Sequence, residues 1–376
     1  FMLMEQTPSQ QNWQPYNSLK RPGVMRLWSY QAVARGADTV MFFQLRRSIG
    51  ACEKYHGAVI EHVGHEHTRV FRECAELGAE LGKLGDTLLD SRIKSKVAIL
   101  FDWENWWAVE MSSGPTIDLK YVNEVHRFYD ALYRAGIQAD VISVEADLSG
   151  YDLVIAPVLY MVKPGIANKL ERYVESGGAF ITTYFSGIVD QNDLVKIGGY
   201  PGELRKLLGI WAEEIDALLP SQRNKIILKD TAVTGKAEYS CGMLCDLIHS
   251  EGAEVKAVYG EDFYRGMPAL TVNRFGSGEA WYVATHAEDA FLQDWLPKLC
   301  ASRGIQPLLP LMPAGIEATL RTKGGTDYLF VLNHNEHPVE VNLGGLSGTD
   351  LLTGQAISGA RAVLPGRDLW IVKVER

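Results

Sequence analysis

The sequence predicts an α/β multidomain protein, and three observations carry that reading. Two strand–helix units open the chain, strands and helices then alternate as far as Ile305, and short strands separated by Gly- and Asn-rich turns close it. The 376 residues are enough for two or three domains with sizeable cores.

The first 92 residues read as strand, helix, strand, helix. "FMLM" is a short apolar strand running straight into Glu5, and "RPGVMRLWSYQAVARGA" follows with Pro at its start and Gly36 at its end. "TVMFFQL" has the continuous apolar character of a strand covered on both faces of a parallel sheet. A polar loop from Arg46 to about His67 leads into the amphipathic helix "TRVFRECAELGAELGKLGDTLL". Two such units cannot close a (β/α)₈ barrel, which needs eight and places its active site where strands hand over to loops. Glu5 stands at such a strand end.

Residues 93–307 alternate cleanly. "KVAILFD", "ADVISV", "YDLVIAPVLYMV", "AFITTYFSG" and "GEAWYVAT" read as strands, with helices at "YVNEVHRFYDALYRAG", "PGIANKLERYVESGG" and "AFLQDWLPKLCAS". The rhythm is that of a doubly wound, flavodoxin-like sheet. It contains neither G-x-G-x-x-G nor a phosphate-cradling lysine loop, so it carries no nucleotide signature. Residues 308–376 read as a small antiparallel β domain.

Composition narrows the function classes. A formal charge of −9 without a basic block argues against nucleic acid and anionic membranes as partners. No apolar run reaches the ~20 residues of a membrane helix, and "FMLM" is too short for a signal-peptide core. The five cysteines include one close pair, Cys241 and Cys245, which lacks further ligands, makes a poor zinc site and at helical spacing reads as packing. No metal or cofactor is expected, and the cysteine usage fits a cytoplasmic protein.

The chemistry is expected at the first strand ends. A glutamate at the mouth of a barrel strand can serve glycoside hydrolysis, which needs a second carboxyl about 5 Å away for retention and farther for inversion. Taken alone, Glu5 is an ordinary solvated loop residue. Three neighbours change that balance. Trp13, beside Asn12, offers an indole face to the apolar side of a pyranose; "EKYHG" sets Glu53 and His56 in the next strand's loop; Arg46 and Arg47 end that strand.

"FMLMEQTPSQQNWQPYNSLKRPG", "LWSYQAVARGADTVMFFQLRRSIGACEKYHGAVI" and "EHTRVFREC" resemble the end of the catalytic barrel of the β-galactosidases of glycoside hydrolase family 42. The likeness continues through "FDWENWWAVE", "NHNEHPVEVNL" and "DLLTG", and so spans the chain. It implies the last two βα units of a TIM barrel at 1–92, an α/β trimerisation domain at 93–307 and a C-terminal antiparallel β domain at 308–376. It implies a retaining enzyme that removes terminal non-reducing β-D-galactosyl residues. Glu5 is then the nucleophile at the end of barrel strand seven, and Trp13, Glu53 and His56 bind galactose. It further implies a homotrimer, and a missing N-terminal barrel portion that carries the acid/base glutamate. Glu104 in "WEN" is a tempting substitute, but it follows the first strand of the second domain.

Two other readings compete. The middle stretch also resembles the glutamine amidotransferase-like group, in which a cysteine follows a central strand; here Tyr184 and Phe185 stand there instead. Trp103, Trp106 and Trp107, crowded in what reads as a loop, fit either an interface or an internal cluster. Assembly is then the role of this domain, and the chain as a whole could be a non-catalytic oligomerisation and sugar-binding portion.

Overall fold

Met2–Gln6 forms β1 and Thr39–Phe42 forms β2, paired in parallel, with α1 (Val24–Ala34) as the crossover between them. The register pairs Met2 with Thr39 and Leu3 with Val40, then slips before Gln6 meets Phe42, so Glu5 lies on the irregular stretch. The expectation of a strand covered on both faces fails at β2, where Met41 is 42% exposed. These two strands form a sheet of their own in the computed structural model, which describes residues 1–375. The helix after them, α2 (Arg69–Leu84), begins where the Thr68 hydroxyl accepts from the Phe71 amide at 3.2 Å.

Residues 95–307 make one compact unit, and residues 1–94 with 308–376 make the other. The first of these units is built on an eleven-stranded mixed sheet. Its parallel half follows the predicted rhythm: β3 (Val97–Phe101), β4 (Ala139–Ser143), β5 (Leu153–Ala156) and β6 (Ala179–Thr183). Three helices lie between them: α3 (Trp103–Met111), α4 (Tyr121–Arg134) and α5 (Ile166–Glu175). α4 buries Tyr121, Val125, Phe128 and Leu132, one stripe at helical spacing. The fully buried β3, β5 and β6 explain the continuous apolar runs.

Of the other half, the sequence shows only β12, within "GEAWYVAT", as a strand. After the short α6 (Arg205–Leu208) come β7 (Ile210–Ala217), β8 (Asn224–Leu228), β9 (Glu238–Ser250), β10 (Glu254–Tyr259), β11 (Pro268–Phe275), β12 (Gly278–Val283) and β13 (Thr285–Ala287). β12 pairs parallel to β6; the others extend the sheet antiparallel, and α7 (Asp289–Ser302) closes the unit. Register breaks in β7, β10 and β13 interrupt the alternation that marks a strand in sequence. Cys241 and Cys245 therefore lie on β9, not a helix, both buried, with the Cys245 Sγ 3.2 Å from the Thr285 hydroxyl. Among the described residues no group of three His, Cys, Asp or Glu could hold a metal ion, and no helix is long and apolar enough to cross a membrane.

Asp246 is a deeply buried carboxylate of this unit. It is 1% exposed, its Oδ2 accepts from the Tyr282 hydroxyl at 2.6 Å and the Phe185 amide at 3.0 Å, and its Oδ1 has no partner. Burial pushes its carboxyl up to about 6 against those two bonds. A raised carboxyl binds its proton more tightly folded than unfolded, so its stabilising contribution is full below about pH 4 and lost as pH rises through 6. Asp246→Asn removes that loss, and relative to the parent it should gain up to about 3 kcal/mol between pH 4 and pH 8. Thermal melts at the two pH values check this; a difference independent of pH contradicts it.

The final stretch forms an antiparallel five-stranded sheet in the order β14 (Ile316–Lys323), β15 (Thr326–Asn333), β20 (Leu369–Val374), β17 (Gly348–Asp350), β18 (Ala356–Ile357). A separate pair is made by β16 (Val339–Asn342) and β19 (Arg361–Leu364). Phe330, Leu332, Leu369 and Ile371 share a core with Met25, Leu27, Tyr30 and Val33 of α1 and Leu77 and Leu84 of α2. Two buried charges, Glu317 and Arg321, cross the same seam. Glu317 is fully buried and accepts from Arg35 at 2.7 Å, Gln31 at 2.6 Å and His334 at 3.1 Å. Burial alone would push its carboxyl up, but His334, Arg35 and Gln31 outweigh it and hold it below the usual range.

Candidate active site

The loop after β1 and the loop after β2 are stitched together by their backbones. The Gly57 amide donates to the Gln10 carbonyl at 2.9 Å, and the Asn12 side-chain amide donates to the Cys52 carbonyl. At Gly57 a Cβ would stand 3.0 Å from both the Gln10 carbonyl oxygen and the Ser9 Cβ, so any other residue would have to push the two loops apart by a few tenths of an ångström. The β2 loop folds back on itself: Ile60 donates to the Leu45 carbonyl at 2.7 Å and Arg47 to the Ile60 carbonyl at 2.9 Å. Arg47 also pairs with Glu61 at 2.7 Å and donates to the Tyr55 carbonyl at 2.7 Å. Arg47 is thus a brace for the loop.

That brace holds a turn in which the His56 amide donates to the Glu53 carbonyl at 3.0 Å. The His56 imidazole is fully buried, stacked on Trp13 at 4.9 Å and met edge-on by Phe43 at 5.1 Å. Its Nδ1 lies 2.9 Å from the Gly57 carbonyl oxygen, which can only accept, so Nδ1 carries the proton. In the neutral ring Nε2 is then an acceptor, and it has no partner despite its burial. The Oε1 of Gln10, the Oδ1 of Asn12, the Nε2 of Gln44 and the Oγ of Ser9 are likewise buried and unpaired. Five orphaned polar atoms on two adjoining loops are unusual in a folded chain and make these loops the candidate binding region.

Trp13 and His56 are therefore brought into contact, and Glu53 shares a turn with His56. Glu5 is exposed and Glu53 half-buried, and among the described residues neither carboxylate has a hydrogen-bond or ion-pair partner. No hydrogen bond ties Glu5 to the other three; it is linked to them through the backbone leading to Gln10. Phe43, Gln10 and Gln44 were not singled out from sequence. Phe43 looks there like one more apolar residue of "TVMFF", and glutamines carry no spacing signal. A cavity of about 280 Å³ lined by Val33, Asp38, Val40, Leu84 and Leu88 lies by the start of β2, the end opposite to these loops.

In the other unit, Glu104 forms an ion pair with Lys163, which also binds Asp102 at 2.8 Å. Its neighbours Trp103, Trp106 and Trp107 lie on helix α3 and not in a loop, capped by the Asp102 carboxylate. Trp103 and Trp107 are 58% and 49% exposed, whereas Trp106 is half-buried against the core and donates to Glu110 at 2.8 Å. At the position where an amidotransferase would carry cysteine, Phe185 adopts φ +58° and stacks on Tyr160 at 4.9 Å. A phenyl ring supplies no nucleophile there.

The family model described as "Beta-galactosidase trimerisation domain" matches residues 95–306, more than half of the chain. The chain belongs to the family 42 β-galactosidases. The family's "Beta-galactosidase" model matches residues 1–84, and its "Beta-galactosidase C-terminal domain" model matches residues 315–373. β-Galactosidase BgaA of Planococcus sp. (strain 'SOS Orange') is 65% identical over 96% of this chain and 53% of its own length. The crystal structure of the β-galactosidase from Bacillus circulans sp. alkalophilus superposes with a TM-score of 0.97 at 63% identity, over all of this chain and 55% of that one. A catalytic mutant of Gan42B, a family 42 β-galactosidase from G. stearothermophilus, does so with a TM-score of 0.93 at 36% identity, over all of this chain and 54% of that one. The chain spans about half the length of the curated relatives it matches.

Proposed function

We propose that these residues are the C-terminal part of a retaining β-galactosidase, with Glu5 as nucleophile and Trp13, Glu53 and His56 as galactose-binding residues. The observation that carries the reading is the orphaned, buried Nε2 of His56, stacked against Trp13 and in one turn with the unpaired Glu53, in a member of this family. In this reading β1, α1, β2 and α2 are the last two βα units of a (β/α)₈ barrel within residues 1–92. Residues 93–307 form the doubly wound, flavodoxin-like domain that holds a homotrimer, and residues 308–376 are the C-terminal β domain. The remaining barrel strands and the acid/base glutamate come from outside these 376 residues.

The chemistry assigns each group a task. Trp13 covers the apolar face of the galactosyl ring, and His56 Nε2 accepts a hydroxyl proton. Glu53, an acceptor with two oxygens, takes bonds from sugar hydroxyls that tighten as the ring gains oxocarbenium character. The Glu5 carboxylate attacks the anomeric carbon as the glycosidic C–O bond breaks, and the outside acid donates the proton that the leaving oxygen needs. The same group then takes a proton from water, which attacks the anomeric carbon and releases Glu5.

Proton NMR of the sugar anomer released first tests this. The β-anomer, mutarotating afterwards, is expected from a full-length polypeptide carrying these residues; the α-anomer as first product overturns the retaining reading. The second reading, a non-catalytic assembly and sugar-binding portion, draws on the chain's covering about half of its relatives. It predicts galactose binding with no turnover under the same conditions.

A further inference from the structure

Lys20 lies in the loop between β1 and α1, and its ammonium reaches back to the residues that follow Glu5. The Nζ donates to the Gln6 Oε1 at 2.9 Å and to the Thr7 carbonyl. The same Gln6 oxygen accepts from the Thr7 amide at 3.0 Å, and the Gln6 carbonyl accepts from Phe43 at 3.1 Å. Gln6 and Thr7 are thus held from three sides at the point where the β1–β2 register slips. Lys20 is itself fixed: its Nζ stands 5.3 Å from the Trp28 ring centroid, and its carbonyl accepts from Arg69 at 3.2 Å.

We propose that Lys20 is a positioning residue for the Glu5 reaction, its ammonium clamping Gln6 and Thr7 and so aiming the carboxylate that precedes them. The inference rests on the reading of Glu5 as nucleophile and extends it to a residue that touches no substrate. An exposed carboxylate at a strand end has nothing of its own to hold it, so its aim depends on its backbone neighbours. Misplacement by about 1 Å costs on the order of 100-fold in rate.

The clamp has a built-in pH dependence. Among the described residues no carboxylate pairs with Lys20, whose ammonium meets only neutral acceptors and an indole face. Burial pushes it down to about 8, offset slightly by the Cys74 thiol. The charged and titratable groups facing it come from α2. Arg69 and Glu73 pair with each other at 2.8 Å, and burial pushes Cys74 up to about 11. Above pH 8 the clamp becomes a neutral amine, a weaker donor.

The test follows the rate at which a 2-deoxy-2-fluoro-β-galactosyl donor labels Glu5. Intact mass and peptide mapping would be read from pH 6 to 9.5 in the full-length parent, Lys20→Arg and Lys20→Met. The parent rate should fall through about pH 8. Lys20→Arg should stay within about 3-fold of the parent at pH 7 and remain flat to pH 9.5, because guanidinium keeps its proton. Lys20→Met should label about 10- to 100-fold more slowly, with donor affinity changed about 3-fold or less. Labelling of all three at one rate with one pH profile overturns the role of Lys20 and leaves Glu5 standing. Absence of label at Glu5 in the parent overturns the nucleophile reading and this proposal together. If Lys20→Met does not fold, Lys20→Arg decides alone: an alkaline limb still at about pH 8 overturns the proposal.

Discussion

Arg321→Met should destabilise the unit made of residues 1–94 and 308–376 by about 3–5 kcal/mol or more, enough to unfold it in many proteins. Arg321 projects from β14 and is 1% exposed. Its Nη1 donates to the Ala37 carbonyl at 3.1 Å and also to that of Val33, and its Nε donates to the Ser91 hydroxyl at 2.7 Å. Its Nη2 meets the Asp38 carboxylate at 3.1 Å and the Leu88 carbonyl at 3.2 Å. The end of α1, the start of β2 and the segment after α2 therefore all close on one guanidinium. Methionine fills part of the volume but strips the donor from the Ala37 carbonyl and from the Asp38 Oδ1, while the Val33 and Leu88 carbonyls keep only their bonds from Gly36 and Ser91. Burial already pulls the Arg321 guanidinium below its usual range, which shows how much the site depends on these partners to keep the charge. Urea melts followed by tryptophan fluorescence, with Trp13 and Trp28 reporting this unit, should show it unfolding at lower denaturant while residues 95–307 hold. A variant within about 0.5 kcal/mol of the parent, the size typical of surface changes, would contradict this role for Arg321.

Glu5→Gln should lower kcat of the full-length polypeptide by roughly 10⁴-fold or more, with KM changed far less. Glutamine keeps the size and polarity of the side chain but removes the electron pair that would form the glycosyl bond. Among the described residues Glu5 has no hydrogen bond or ion pair to lose, so its replacement should leave the melting temperature within about 1 °C of the parent. Activity and stability are therefore expected to separate cleanly at Glu5 and to fall together at Arg321. A Glu5→Gln enzyme with more than about a tenth of the parent kcat would place the nucleophile elsewhere.

How far the sequence could be read follows the physics of each segment. The parallel strands β3, β5 and β6 are buried on both faces, so their apolar runs stand out, and α4 shows its stripe. The antiparallel half of the same sheet was missed because register breaks disturb its period, and "YDLVIAPVLYMV" overran because the chain turns at Val158 with φ +47° after only four strand residues. "DWENWWAVE" reads as a loop in sequence because three indoles obscure the helical pattern that Asp102 caps. At the candidate site, Glu5, Trp13, Glu53 and His56 were named from chemical type and from a family resemblance. Gln10, Gln44, Phe43 and Lys20 were not, since their roles arise from two loops meeting at Gly57 and from a lysine reaching back across its own loop. Arg321 and Glu317 read as ordinary strand charges; only the seam between α1 and the C-terminal strands buries them.

The central claim is that Glu5 forms the bond to the anomeric carbon. Its most direct test is a full-length Glu5→Ala variant given a 2,4-dinitrophenyl β-galactoside, whose leaving group needs no acid, in the presence of sodium azide. Azide is expected to enter the space vacated by the carboxylate, restore turnover and yield α-galactosyl azide. Formation of β-galactosyl azide, or full activity of the variant without azide, would contradict the assignment.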